Sequence, residues 1–522
     1  MTAEKNLAPF TMSAIIGDQE FTHLISERAR RLLQLAYLLS EKHSNFIDLT
    51  RPLIGDLFSQ SVQLEELLDA YGARNNRRWS KFRSLTATIK LFSDACYKLL
   101  HIRHALPSYL LLPIDQDFAA STAQSIIDTG EILATTTHQF LTQASRLGLS
   151  IEADDITMEQ FAEPLPAGRL DQDRAARKVK SASETITQLA TAYLNLAAES
   201  DLLHIVERIE PSEYATCIPD PISEDNLRYL KFRFHSLQSL YDTHVCETEI
   251  ECLDANLPVL RGHISVVYHL LEIATGLIHY YERHLNINTG DSSLRRKPVI
   301  TPQTLLTLLM NYSVAYAGMY LNQGRSLCHV ILRRYAEVGT VTVPVPCYRG
   351  LHVRPATLIA RIVRHYGSDV KMELDGQSYD ASTPMDLFRA NEKINAQKRR
   401  WLLMEIGCLP LPTGNLNHEQ IQTAITDIVS RLAKQGKLIF YQQPLRLSDE
   451  FTQEGILLEI ITAEIIHLLA TGQIDIKTDL TITFTGDKRV LSDLKLLAKS
   501  GYGEDRFGNN IALPKELAYL RR

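Results

Sequence analysis

The residues best equipped for chemistry lie in one run, Arg349-Gly350-Leu351-His352-Val353-Arg354-Pro355-Ala356. Pro355 suits the first turn of a helix, where its missing N–H breaks no intrahelical bond, so a helix is expected to begin within a residue or two of His352. Backbone N–H groups at such a start, here from Val353 and Arg354, favour an anion. The Arg354 guanidinium adds a charge-assisted bond to phosphate oxygens, and Arg349 brings a second positive charge. An imidazole in that setting is a nucleophile beside a phosphate cradle, which makes His352 and Arg354 the candidate catalytic pair and Val353, Arg354 and Arg349 the candidate phosphate-binding residues.

Other constellations are less specific. His269 with Glu272, His244 with Glu247 and Glu464 with His467 have i,i+3 spacing, but a metal site in a bundle needs several such pairs on facing helices, so they are read as solvated faces with no metal or cofactor. Basic clusters at Arg74, Arg77, Arg78, Lys81 and Arg83, at Arg295, Arg296 and Lys297, and at Lys398, Arg399 and Arg400 are separated by acidic stretches and read as exposed turns or partner contacts. Walker-type GxxxxGK[ST], GxSxG and HExxH motifs do not occur.

The elements that must position His352 follow from periodicity. From about Gln19 to Ala336 apolar residues recur at helical spacing, as in Val266, Val267, Leu270, Leu271, Ala274, Leu277, Ile278 and Tyr281, with His269, Glu272, His279 and Arg283 opposite. Breaks fall at 161–171, 211–225 and 286–298, where Pro and Gly accumulate. This predicts a large all-α bundle over residues 1–337, of one or two sub-bundles. After Ala336 the period changes to two. Val341, Val343 and Val345 alternate, a helical stripe of Ile359, Ile362 and Val363 follows, and Val370, Met372 and Leu374 alternate again before an Asp375-Gly376 hairpin turn. A short helix from Pro384, a strand at Leu480, Ile482 and Phe484, and a helix at Val490–Ala498 complete a β-α-β-β-α-β-α order. About eighty residues, roughly 397–478, interrupt it as a mostly helical inserted subdomain. The predicted fold is therefore multidomain, with an α+β open-faced sandwich over 338–522.

Composition sets the outer bounds. A length of 522 residues calls for several domains, and 45% hydrophobic against 22% charged residues supports folding throughout. With 61 acidic and 55 basic residues the formal charge of −6 gives no attraction to nucleic acid. Seven cysteines without a CxxC pair suggest neither a disulfide framework nor a zinc ribbon, and fit a reducing cytoplasm. Asp18 and Glu20 interrupt any signal-peptide core, so secretion is not expected. The uncharged segment from Pro298 to Gly324 carries Gln303, Thr307, Asn311 and Ser313 and is read as a buried bundle helix, with no stable membrane insertion.

The motif GLHVRPA, the element order around it and the terminal TITFTGDKRVLSDLKLLAKSG resemble HPr, the histidine phosphocarrier of the bacterial phosphoenolpyruvate-dependent phosphotransferase system. The resemblance covers about Thr340–Ala396 and Thr478–Gly503. It implies an HPr-like domain in which His352 accepts a phosphoryl group on its δ nitrogen from an enzyme I-like donor, with Arg354 as phosphate partner, and passes it to an acceptor protein that the sequence does not identify. Such a chain is a phosphoryl carrier or phosphorelay protein with a covalent phosphohistidine rather than a turnover enzyme. The segment around Thr383 resembles the one that carries the regulatory serine of HPr in some bacteria. Thr383 then stands as a regulatory phosphorylation candidate, against the simpler reading of a helix N-cap, and Met385, Leu387 and Phe388 stand as a docking patch for the donor or as core. Tyr348 and Arg349 replace the small polar residue common before the motif glycine, and the insertion and helical region have no counterpart in HPr. The alternative function is therefore a non-catalytic regulatory or scaffold protein that keeps the fold as a binding module, and a third is an enzyme housed in the bundle.

Overall fold

The computed structural model describes residues 15–40, 49–149, 156–166, 168, 170, 181–200, 210–285, 300–410, 417–441, 443–448, 456–477 and 479–521. The basic run Arg295, Arg296 and Lys297, the connection at 286–298 and parts of the 161–171, 408–413 and 450–469 segments lie outside them. The chain forms two compact units, Met1–Lys180 with Leu196–Leu327, and Ser181–Asn195 with Cys328–Arg522. The division differs from one at residue 337, because 181–195 and 328–337 belong with the second unit.

Ten α-helices precede the first strand among the described residues: α1 Asp18–Ser40, α2 Arg51–Ala70, α3 Ser80–Ala105, α4 Phe118–Leu147, α5 Ala182–Glu199, α6 Glu224–His244, α7 Glu249–Leu253, α8 Asn256–Tyr280, α9 Pro302–Thr307 and α10 Ala315–Tyr335. Their ends obey local chemistry. Thr50 Oγ1 accepts the Leu53 N–H at the start of α2, Asp117 accepts Ala120 N at the start of α4, and left-handed Gly148 closes α4. Within the first unit α3 packs against α2, α4 and α8. The apolar stripe read on α8 is buried, but the opposite side is wet only in part. His269 and Glu272 are half-buried, with His269 Nδ1 donating to Glu272 Oε2 (2.9 Å) and Tyr268 OH donating to the same carboxylate (3.2 Å). A turn of π-helix at 308–314 links α9 to α10, and no helix among the described residues is long and apolar enough to cross a membrane.

The second unit holds a small antiparallel sheet. Strands β1 Val338–Pro344, β2 Lys371–Leu374, β3 Gln377–Asp380 and β6 Thr481–Asp487 run in the order β1-β6-β2-β3, while β4 Leu438–Phe440 pairs with β5 Ile474–Ile476 as a separate ribbon. Val341 faces Phe484 on β6, which faces Met372 on its other side. Asp375 and Gly376 both have positive φ (52° and 73°), the hairpin geometry their sequence predicts. Helices α11 Val353–Tyr366 and α15 Lys488–Lys499 and the start of α12 Pro384–Gly407 cover one face. Ile359, Ile362, Val363, Leu387, Ile394, Val490 and Leu494 close over Val343, Met372, Leu374, Ile482 and Phe484 in one core.

The helix expected to be short from Pro384 is instead 24 residues long. Its first half supplies Leu387, Ala390 and Ile394 to the sheet core. Its second half supplies Leu402 and Ile406 to another core, shared with α13 His418–Lys434, α14 Leu457–Ala470 and the β4–β5 ribbon. The inserted segment is thus fused to the sheet module by a continuous helix. Lys398, expected on an exposed basic turn, is only 2% exposed where the two cores meet, because Asp475 on β5 holds its ammonium at 2.7 Å.

Candidate functional site

The chain leaves β1 through Pro344 and turns sharply. Arg349 (φ 52°) and Gly350 (φ 65°) are both left-handed, and Gly350 lies so close to the Asn391 amide that a Cβ would strike it. Asn391 on α12 secures this turn from both sides. Its Oδ1 accepts the Leu351 N–H (2.8 Å) and its Nδ2 donates to Arg349 O (3.2 Å). Asp475 of the insertion accepts the Arg349 N–H (2.9 Å).

His352 follows as the N-cap of α11, in extended conformation and with no side-chain cap bond. Ala356 N already donates to His352 O, and Pro355 has no N–H, which leaves the amides of Val353 and Arg354 without intrahelical partners at the helix start. The imidazole is held from two directions. Its Nε2 is 2.8 Å from Glu504 Oε2, and Tyr348 meets the ring edge-to-face at 5.3 Å. Tyr348 in turn packs on Tyr441 of the insertion (4.8 Å), whose phenol burial pushes well above its ordinary titration range, and against left-handed Gly508.

Glu504 arrives on the C-terminal tail. Left-handed Gly501, Tyr502 and Gly503 turn the chain after α15, and buried Tyr502 donates its hydroxyl to Pro344 O (2.6 Å), fixing the tail to the end of β1. Asp505 closes the next turn by accepting from Phe507 N, Asn509 N and Asn509 Nδ2, bonds that hold its carboxyl below the usual range. Further on, Leu513, Leu517 and Leu520 enter the sheet core and Tyr519 OH donates to Asp493 (2.6 Å). Glu504 is 7% exposed, and its second oxygen lies 3.8 Å from Arg354 Nε, a buried N–H that makes no hydrogen bond. Beside this cluster runs an open groove of about 590 Å³, lined by Val353, Thr357, Leu358, Arg361 and Leu513.

The structure therefore brings His352, Arg354 and the Val353 amide together and adds Glu504, which sequence reasoning missed. Its contact spans 152 residues, and the only local sign was one of two adjacent acids in a glycine-rich turn, YGEDRFG. Arg349, expected to bind phosphate, reaches toward the inserted segment. Its guanidinium donates to Thr471 O (3.3 Å) at the C-terminal end of α14, packs against Gly472 where a side chain would not fit, and lies over the Tyr348 ring. Of the expected docking residues Met385 is exposed, whereas Leu387 is fully buried and Phe388 packs against the same core. Leu387 is a core residue, because its face of α12 meets the sheet. Thr383 occupies the N-cap position of α12 but makes no cap bond. Its hydroxyl donates to Asp380 (3.3 Å), and Asp386 accepts from Asp380 N (3.2 Å). Glu464, considered with His467 for metal binding, is buried and accepts from Ser448 N and Oγ (2.8 and 2.7 Å).

Comparisons of this chain with protein-family models, with curated proteins and with solved structures found no match.

Proposed function

We propose that this chain is a phosphohistidine carrier or relay protein of the HPr type, in which His352 accepts a phosphoryl group from an enzyme I-like donor and hands it to, or signals it through, a partner. One observation carries the reading. An imidazole sits at the start of α11 with the Val353 and Arg354 amides unpaired beside it and the Arg354 Nε–H unbonded, so donors surround the place where a transferred phosphoryl group would gather charge. The motif GLHVRPA and the β-α-β-β-α-β-α order around it support the same reading.

In the proposed reaction the donor docks beside α11 and the neutral imidazole attacks phosphorus in line. Arg354 and the helix-start amides take the charge on the equatorial oxygens. The turn at 349–351, clamped by Asn391 and Asp475, keeps the ring and the amides in register. Because Asp475 belongs to the insertion, the inserted segment is the natural route by which phosphorylation is read or controlled. Incubation with phosphoenolpyruvate and an enzyme I, with free HPr as a positive control, tests the reading through site mapping of an acid-labile, alkali-stable phosphate.

A further inference from the structure

Glu504 sits where an orienting group would. A carboxylate only accepts, so at 2.8 Å the shared proton belongs to His352 Nε2, and in the neutral ring Nδ1 then carries the lone pair. The carboxylate is 7% exposed and so is poorly screened by water. It is delivered by a rigid turn, with left-handed Gly501, Tyr502 and Gly503 on its N-terminal side, Tyr502 anchored to Pro344 O, and a bridge to Asn510 on its C-terminal side. Its other oxygen stands 3.8 Å from Arg354 Nε, close enough for charge pairing and too far for a hydrogen bond, so that N–H stays unspent.

We infer that Glu504 is the positioning residue that assigns the two ring nitrogens of His352, keeping the proton on Nε2 and presenting Nδ1 as the nucleophile. This rests on the phosphocarrier reading for its purpose, though its first test does not. The balance of the step shows what the carboxylate contributes. The Nδ1 lone pair forms the N–P bond while the bond from phosphorus to the donor atom breaks, its electron pair leaving with the donor. The ring, now substituted at Nδ1 and still protonated at Nε2, carries a positive charge that the Glu504 carboxylate neutralises across the hydrogen bond. On onward transfer the N–P bond breaks, its pair returns to Nδ1, and the ring departs as neutral imidazole because Nε2 never lost its proton. Without an acceptor at Nε2 that proton is free to leave, and the departing ring would then be an imidazolide anion, a far poorer leaving group.

The test uses the full chain with ¹⁵N-labelled histidine at about pH 8, where long-range ¹H–¹⁵N correlations report the tautomer and His352 is identified by its loss in His352→Gln. The wild type should show the Nε2–H form. Glu504→Ala should raise the Nδ1–H fraction by about tenfold, the scale of one charge-assisted hydrogen bond. Glu504→Gln, which keeps the shape and can donate as well as accept, should shift it in the same direction and guards against a folding defect. Phosphoramidate, a small phosphoryl donor that needs no docking, should then modify Nδ1 in the wild type and both nitrogens in Glu504→Ala. A wild-type ring in the Nδ1–H form, or a tautomer ratio indifferent to both variants, overturns the inference. A chain with the expected tautomers that takes no phosphoryl group from enzyme I would end the relay reading and leave the assignment of Glu504 standing. Labelling on His352 with an indifferent tautomer would do the reverse.

Discussion

Replacing Lys398 by Met tests whether the insertion and the His352 turn are held by one buried charge pair. Lys398 and Asp475 are 2% and 3% exposed, and Nζ lies 2.7 Å from Asp475 Oδ1. At that distance and an effective dielectric constant of about 20, their attraction is about 6 kcal/mol. A methionine in place of the lysine would keep the side-chain volume but strand the carboxylate, which retains only the N–H groups of Ile476 (2.6 Å) and Arg349 (2.9 Å). With those two bonds kept, the expected net loss is about 3–5 kcal/mol. For a unit of this size, urea denaturation with a slope of roughly 2–3 kcal/mol per molar places the midpoint about 1.5 M lower. The chain has two tryptophans, and Trp401 packs on the inserted core, so fluorescence in a Trp79→Phe background follows the second unit alone. Lys398→Met combined with Asp475→Asn, which removes both charges, should recover about half of the loss. A midpoint shift equivalent to less than about 1 kcal/mol for the single variant would mean that water or another cation already screens Asp475 and that the pair does not hold the turn.

Three further outcomes follow from the geometry. Gly350→Ala should destabilise the second unit by more than about 1 kcal/mol in the same assay, since φ is 65° and the new methyl meets Asn391, and it should also impair labelling of His352. Arg354→Ala should slow phosphorylation by enzyme I by at least about tenfold while the label stays on His352, as read by quench-flow or timed gel assays. His263 is fully buried between Leu112 N, which donates to its Nε2 (3.1 Å), and Tyr320 O, which accepts from Nδ1, and burial lowers its pKa from 6.5 to about 4. Between those values the unfolded chain holds a proton that the folded chain rejects, so stability of the helical unit should fall as pH drops from 6.5 toward 4. At about 1.4 kcal/mol per pH unit the loss is about 3 kcal/mol, and it then levels off. Trp79 fluorescence in a Trp401→Phe background checks this, and His263→Gln should remove that share of the slope, leaving the part due to His284, whose pKa burial also lowers from 6.5 to about 4.

What the sequence made legible was whatever repeats locally. The alternation of Val341, Val343 and Val345, the Asp375-Gly376 turn and the helix start at His352 depend on neighbours in the chain, and each is found where its pattern places it. The β4–β5 ribbon was invisible because three-residue strands are too short to show a period. The length of α12 was hidden because its buried stripe serves two cores in succession, so the insertion has no boundary near residue 397 at all. The site divides the same way. His352 and Arg354 stand in one motif, whereas Glu504, Asn391 and Asp475 reach it from elements 40 to 152 residues away. The bond from Arg349 to Thr471 O, just past the end of α14, was likewise hidden, because it joins residues 122 apart.

Whether His352 takes up a phosphoryl group is read by intact-mass measurement after incubation with phosphoenolpyruvate and a catalytic amount of enzyme I. The chain should gain one phosphoryl group, removed by acid, stable to alkali, mapped to His352 and absent from His352→Ala. A chain that gains nothing while free HPr in the same tube is fully labelled, or a label that survives His352→Ala, would contradict it.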